Sequence, residues 1–183
     1  MFKFIITFIK GLLKNINYSI NTNKVETTKI ISKDNTMYKF GKRSKSRLDT
    51  CHKDIVIIME EAIKLYDFSV LEGLRTAEKQ AEYFETGRSK LDGVHKKSKH
   101  QDDGSGLSKA IDLMPYKKGS NAFSGKSKDK ARFYYLGGVI KAVAYRLLEE
   151  GKITHKIRWG ADWDSDDLFD DQNFDDLPHF ELV

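Results

Sequence analysis

The sequence contains little cysteine and little proline, and both shortages limit the folds it can adopt. The only cysteine among its 183 residues is Cys51, so an intramolecular disulfide is excluded and the fold does not depend on an oxidising compartment. Two prolines and this length suit one compact domain with a short appendage. The apolar fraction of 39% is enough for one core, and the charged fraction of 32% is not that of a disordered chain.

Basic side chains are missing from the last part of the chain. Residues 161–183 carry nine acidic side chains and no Lys or Arg, whereas the other 160 residues carry 32 basic and 18 acidic ones. A basic body favours polyanionic partners such as nucleic acid, anionic lipid or acidic wall polymers. Solubility explains the same charge and is the interpretation that charge alone favours, so no nucleic-acid partner is expected.

The first 16 residues have an apolar stripe at helical spacing, with lysines near the other side. This stretch is shorter than the roughly 20 residues that an ordinary transmembrane helix needs. A weak signal peptide and an interfacial anchor are the alternatives, although Lys10 interrupts the apolar region. Residues 17–36 are polar and are interpreted as a linker. We therefore place the domain at 37–183 and expect membrane contact through residues 1–16.

Hydrophobic periodicity predicts a mixture of helices and strands after Met37. Helices are predicted over 44–66 (capped by Ser44 or Ser46), 77–86 and 129–150, and strands over 68–72, 107–115, 156–160 and 179–183. Loops are predicted over 88–109, 116–128 and 162–176. The elements do not alternate as regular βα units. This favours an α+β fold, a small mixed domain with a central antiparallel sheet flanked by helices.

Two of the five histidines are associated with apolar strands. His100 leads into the strand that carries Asp112, and a carboxylate flanked by apolar residues is costly to bury unless it is paired or bound to a cation. His179 lies in a second apolar strand. The three residues match a His-Asp-His site with the open position of a catalytic zinc centre, but a hydrogen-bonded core histidine is the more frequent pattern. The remaining histidines are expected on the surface or in a loop: His52, His95 and His155.

Several segments resemble the LAS zinc peptidases, which include D-alanyl-D-alanine carboxypeptidases and dipeptidases and phage L-alanyl-D-glutamate endopeptidases. SKHQDDGSGLSKAIDLMP is similar to the family's Ser-x-His…Ala-x-Asp motif, and DDLPHFELV to its closing motif. YDFSVLEGLRT, RWGADWD and KFGKRS resemble further elements, so the resemblance runs from Tyr38 to Val183. One departure is that eleven residues separate His100 from Asp112, where the family usually has six. The extra turn-forming residues predict a bulged loop that leaves both ligands in place.

The resemblance implies a hedgehog/DD-peptidase-like fold and one Zn²⁺ ion held by His100, Asp112 and His179. It also implies that Asp176 is the general base and that Arg75 stabilises the oxyanion or holds a substrate carboxylate. Three further residues are expected to support the site: Ser98 at the His100 loop, Glu181 beside His179, and Trp163 along the cleft. Each role has an alternative, namely Asp175 as the base, Arg75 as a helix cap, Glu181 as a solvated residue and Trp163 as a core residue.

The acidic stretch from Asp162 to Asp171 has some of the spacing of a calcium loop. Its sixth position is Asp167 rather than Gly and its twelfth is Asn173 rather than Glu, which argues against an EF-hand. A looser Ca²⁺ site and a solvated acidic loop are the two interpretations.

The resemblance predicts an L-alanyl-D-glutamate endopeptidase that acts on the peptidoglycan stem peptide at the bacterial cell wall. A D-alanyl-D-alanine carboxypeptidase or dipeptidase, and a non-catalytic metal-containing wall binder, are the alternatives. We expect a monomer. Export, membrane anchoring and release through a separate pore are all open as routes to the wall.

Overall fold

The computed structural model describes residues 37–102, 104–169 and 171–183, and the predicted apolar segment and linker at 1–36 lie outside them. The described residues form helices α1 (Lys42–Leu48), α2 (Lys53–Ala62), α3 (Ala77–Glu85) and α4 (Ser127–Glu149), and strands β1 (Phe68–Glu72), β2 (Ala110–Pro115), β3 (Ile157–Gly160) and β4 (Asp176–Leu182). In this part of the chain, no helix has the length and apolar character needed to cross a membrane.

The four strands form one sheet in the order β1-β2-β4-β3, and all neighbouring strands are antiparallel. The predicted α+β class and antiparallel sheet are therefore confirmed. In the central pair, Ile111 lies opposite Phe180 and Asp112 lies opposite His179. Successive side chains of a strand face opposite sides of the sheet, so the first pair faces the core and the second faces the other side.

The core lies between this sheet and the apolar sides of α2 and α4, whose stripes arise from residues three and four apart. Trp159 of β3 is almost fully buried and packs against α4 at Gly137. A Cβ atom on Gly137 would lie 2.8 Å from the indole ring, so only glycine permits this close approach. The fully buried sheet residues fix the position of β2 and β4, and with it the position of the polar side chains on their other side.

The single helix predicted over 44–66 is wrong, because the chain leaves helical geometry at residues 49–52. The backbone of this segment pairs instead with Ser108, two residues before β2. His52 N donates to Ser108 O at 2.8 Å, and Ser108 N donates to Thr50 O at 2.9 Å. The apolar stripe continues across the break because Leu48 and Ile55 both reach the same core. Hydrophobic periodicity alone therefore did not reveal the break in the helix.

The predicted ends of two elements also need correction. Helix α1 follows Gly41, which provides no side-chain cap, so the expected caps at Ser44 and Ser46 are wrong. Strand β4 begins at Asp176 rather than at His179. Asp176 is thus placed by sheet pairing, opposite Gly160, and not by a loop.

Candidate metal centre

Three side chains meet on the side of the sheet that faces away from the core. His100 comes from the loop before β2, Asp112 from β2 and His179 from β4. His100 Nε2 is 3.2 Å from Asp112 Oδ1 and 3.2 Å from His179 Nδ1, and the last two atoms are 3.1 Å apart. A tetrahedral ion with bonds of about 2.0 Å separates its ligands by about 3.3 Å. This triangle, which we call the His-Asp-His triangle, has the size that one such ion requires.

The second nitrogen of each imidazole is bonded to an acceptor. His100 Nδ1 donates to the carbonyl oxygen of Gly73 at 2.8 Å, and His179 Nε2 donates to Glu181 Oε2 at 3.1 Å. A carbonyl or carboxylate oxygen can only accept, so each outer nitrogen carries a proton. An inner nitrogen without a proton offers the lone pair that a metal ion needs, so metal binding here displaces any proton held between the inner nitrogens and Asp112.

The charges around the triangle favour a positive ion at its centre. Burial by itself raises the pKa of Asp112, but the neighbouring His100 and His179 outweigh burial and hold this pKa well below its usual value. Burial lowers the pKa of His179, yet its bonds to Asp112 and Glu181 outweigh burial and raise the pKa to about 9. The carboxylates that stabilise a positive imidazole would equally stabilise a divalent cation, and imidazole nitrogen with carboxylate oxygen suits zinc.

The loop between His100 and Asp112 closes on itself despite its length. Asp102 Oδ1 accepts hydrogen bonds from Gly104 N at 2.8 Å and from Gly106 N at 2.6 Å. Both glycines have positive φ, at 105° and 76°, which a residue with a side chain adopts only with strain. The extra residues therefore form a local bulge beside the two side chains, as the turn formers predicted.

Asp176 lies near the triangle, at the start of β4 and three residues before His179. Burial raises the pKa of its carboxyl group and Asp112 raises it further, against the opposing effect of His179, His100 and Arg75. The carboxyl group therefore lies within electrostatic reach of the triangle and of Arg75. The rival base, Asp175, is engaged differently, since it accepts from Gln172 Nε2 at 3.2 Å and lies 3.6 Å from Lys130 Nζ.

Arg75 is held beside Asp112 by two side chains that the sequence did not single out. Its guanidinium is only 9% exposed, and Nη2 is 3.8 Å from Asp112 Oδ2. Glu72 accepts from Nε at 3.1 Å and also pairs with Nη2, while Gln80 Oε1 accepts from Nη1 at 2.9 Å. The alternative of a helix cap is wrong, because Thr76 caps α3. The spacing of Glu72 three residues before Arg75 was the one available signal.

The other expected supporting residues also lie around the triangle. Ser98 Oγ accepts from His100 N at 3.2 Å. The Trp163 ring is 5.6 Å from the His179 ring, centroid to centroid. Arg158, which the sequence did not single out, pairs with Glu181 and donates through Nη1 to Trp163 O at 3.2 Å. Its position opposite Glu181 follows from the pairing of β3 with β4, which no local pattern reveals.

Outside the triangle, the acidic stretch contains a second group of carboxylates. Asp162, Asp164 and Asp166 offer oxygens within 4.8 Å of one another. Asp162 is buried, and its Oδ2 lies 2.6 Å from Lys141 Nζ, which also pairs with Asp167. A lysine therefore already supplies positive charge to this loop. His95, by contrast, is exposed and bonds to Asp92, so it takes no part in the triangle.

A triangle of two imidazoles and a carboxylate, with a further acidic side chain near it, is the arrangement of hydrolases that activate water on a metal ion. The family model of the phage L-alanyl-D-glutamate peptidases matches residues 36–183, and the chain belongs to this family. The peptidase function expected from the motifs is thereby confirmed, and the chain is a peptidase of the endolysin type.

Two relatives give the scale of the similarity. The chain is 31% identical over 152 residues to the L-alanyl-D-glutamate peptidase of Escherichia phage T5, and the match covers 80% of this chain and 98% of that protein. The crystal structure of the Serratia marcescens L-Ala D-Glu endopeptidase ChiX matches with a TM-score of 0.53 and 26% identity. This match covers 82% of the present chain and 93% of ChiX.

Proposed function

We propose that the chain is a zinc-dependent endopeptidase that cleaves the L-alanyl-D-glutamate bond in the stem peptide of peptidoglycan. The observation that carries this proposal is the His-Asp-His triangle with Asp176 near it, in a chain of this peptidase family. Both relatives are named for the same bond, which favours an endopeptidase over a D-alanyl-D-alanine carboxypeptidase. The carboxyl group of Asp176 beside the triangle argues against a non-catalytic wall binder.

The residues of the chain divide the chemistry among them. When bound, zinc acts as a Lewis acid that polarises the scissile carbonyl and lowers the pKa of water to about 7. Asp176 accepts the proton of the attacking water and delivers it to the leaving amine. Arg75, fixed by Glu72 and Gln80, holds a positive charge beside the site for an oxyanion or a substrate carboxylate.

Replacing Asp176 by Asn tests the mechanism. We expect the purified chain with zinc to release peptides with a new amino-terminal D-glutamate from wall sacculi. Asp176→Asn should lower kcat by about 10²–10⁴-fold, because the proton acceptor is lost, and should still bind zinc. Asp175→Asn is the matched control and should retain activity. Equal rates for wild type and Asp176→Asn would contradict the mechanism, and free D-alanine among the products would identify a carboxypeptidase.

For the acidic loop we propose a Ca²⁺ site formed by Asp162, Asp164 and Asp166. The bound ion displaces Lys141 from Asp162, and this competition lowers the affinity for calcium. The three carboxylates and their mutual distances support it, because calcium prefers several oxygen ligands. In calorimetric titrations, Lys141→Met should bind calcium more tightly than wild type, and Asp164→Asn with Asp166→Asn should not bind it. A loop that binds no calcium in any of these chains is a solvated acidic loop instead.

A single chain supplies the whole triangle together with Asp176, which supports a monomer as the active form. The proposed substrate places its action at the bacterial cell wall. Membrane contact through residues 1–16 stays a prediction, since that segment lies outside the described residues.

A further inference from the structure

A second group of side chains, which shares no member with the triangle, connects the start of α2 to the segment before β3. His52, Asp54 and His155 each offer one ligand atom, and these atoms lie within 4.8 Å of one another. The imidazole rings of His52 and His155 are 4.8 Å apart, centroid to centroid. The sequence placed both histidines on the surface as single residues; both are partly exposed, and each also contacts Asp54.

Asp54 has one carboxylate oxygen that is fully satisfied and one that is not. The residue is 0% exposed. Its Oδ2 accepts from Thr154 N at 2.9 Å and His155 N at 3.1 Å, and His155 Nδ1 lies 2.8 Å away. Its Oδ1 is buried and has no hydrogen-bond partner. Buried polar atoms are normally paired with a donor or a cation, so this oxygen indicates a missing partner.

We propose that His52, Asp54 and His155 bind a second divalent transition-metal ion of the Zn²⁺ type. Two imidazole nitrogens and one carboxylate oxygen are ligands that such ions prefer. The His155 side chain is 35% exposed, so solvent reaches the group and water completes the coordination. The bound ion links the start of α2 to the segment that enters β3, and its role is structural.

This second site binds zinc more weakly than the triangle. His52 Nδ1 already accepts the capping hydrogen bond from Asp54 N, at 3.2 Å. An ion that binds this nitrogen must replace that backbone bond, whereas the inner nitrogens of the triangle lie against the other ligand atoms of the triangle. The two sites are therefore filled in order as the zinc concentration rises.

Zinc titration of the full chain tests the proposal, with binding followed by calorimetry and by elemental analysis after dialysis. We expect two ions per wild-type chain, and one ion in His52→Asn and in His155→Gln, both with peptidase activity retained. Asn is a good helix cap, so His52→Asn removes the imidazole without loss of the α2 cap. Excess zinc should raise the Tm of wild type further than that of either variant.

Two controls make the result specific. His95→Asn changes an exposed histidine that belongs to neither group and should still bind two ions. His179→Ala should lose the tight site and the activity but keep the weak site, which separates this proposal from the peptidase mechanism. One ion per wild-type chain, or two ions in both His52→Asn and His155→Gln, would overturn the second site.

Discussion

At the residue scale, the two imidazoles of the triangle are oriented by different kinds of acceptor. His100 donates to the backbone carbonyl of Gly73, which fixes the ring but carries no net charge. His179 donates to Glu181, whose pKa is lowered to about 2 because His179 and Arg158 outweigh the opposing effect of burial. A carboxylate partner also makes the imidazole a stronger ligand. Glu181 therefore contributes to metal affinity as well as to geometry.

Glu181→Gln separates these two contributions, because Gln keeps an oxygen that accepts from His179 but removes the negative charge. We expect zinc affinity to fall by about 10–100-fold, the usual effect of losing such an outer partner. Competition with a chromophoric chelator measures it. Glu149→Gln, an exposed change on α4, is the control and should bind like wild type. An unchanged affinity in Glu181→Gln would mean that the charge of Glu181 has no effect on the metal.

The residues of the triangle were predictable because the motifs that carry them are local in sequence. Their partners were harder to predict, since most contacts depend on how the chain turns or pairs. Gln80 reaches Arg75 only through the turn into α3, and Arg158 reaches Glu181 only through the pairing of β3 with β4. Asp54 looked like one polar residue of a long helix, because nothing near it in sequence points to His155.

At the scale of elements, the strands were predicted better than the first helix. Their apolar residues are bounded by loops of strongly polar composition, so their existence and approximate length followed from sequence. The break between α1 and α2 did not, because it depends on pairing between Cys51 and Ser108, which are far apart in the chain. Tertiary hydrogen bonds overrode a helical pattern that was locally sound.

The turn after β1 gives a prediction at this scale. A Cβ atom on Gly73 would lie 2.4 Å from both Arg47 O and Thr50 Oγ1, so Gly73→Ala forces the backbone to move. Because the Gly73 carbonyl orients His100, we expect the free energy of unfolding to fall by about 1–3 kcal/mol and zinc binding to weaken. Denaturant unfolding measures the first effect and chelator competition the second.

Gly138→Ala is the matched control for this change. No atom beyond the neighbouring helix backbone lies within 4 Å of a Cβ at this exposed helical position, so the variant should be more stable by about 0.5–1 kcal/mol. If Gly73→Ala were as stable as wild type and bound zinc equally well, the turn would have no role in positioning His100.

At the scale of the whole molecule, the triangle joins the loop before β2 to the two central strands. The unfolded chain does not hold these groups together, so an ion in the triangle binds the folded state preferentially. Metal binding and folding stability are then coupled.

Removal of zinc with a strong chelator should therefore lower the Tm, and added zinc should restore it. With free zinc at about 100 times Kd, the expected stabilisation is about 2.7 kcal/mol. His179→Ala lacks one ligand and should lose most of this response, whereas the exposed His95→Ala should keep it. A chelator that leaves the wild-type Tm unchanged would show that the ion contributes nothing to folding. Differential scanning calorimetry provides the measurement.

The pairing of Asp112 with His179 has a consequence for how the chain can vary in length. It belongs to the same ladder as the pairing of Ile111 with Phe180, so a slip of one residue would put a phenyl ring where the metal ion binds and an imidazole in the core. A one-residue slip would thus disrupt both the metal site and the hydrophobic core. An insertion in β2 or β4 would cause such a slip, whereas an insertion in the loop after His100 would leave the pairing of the two strands unchanged.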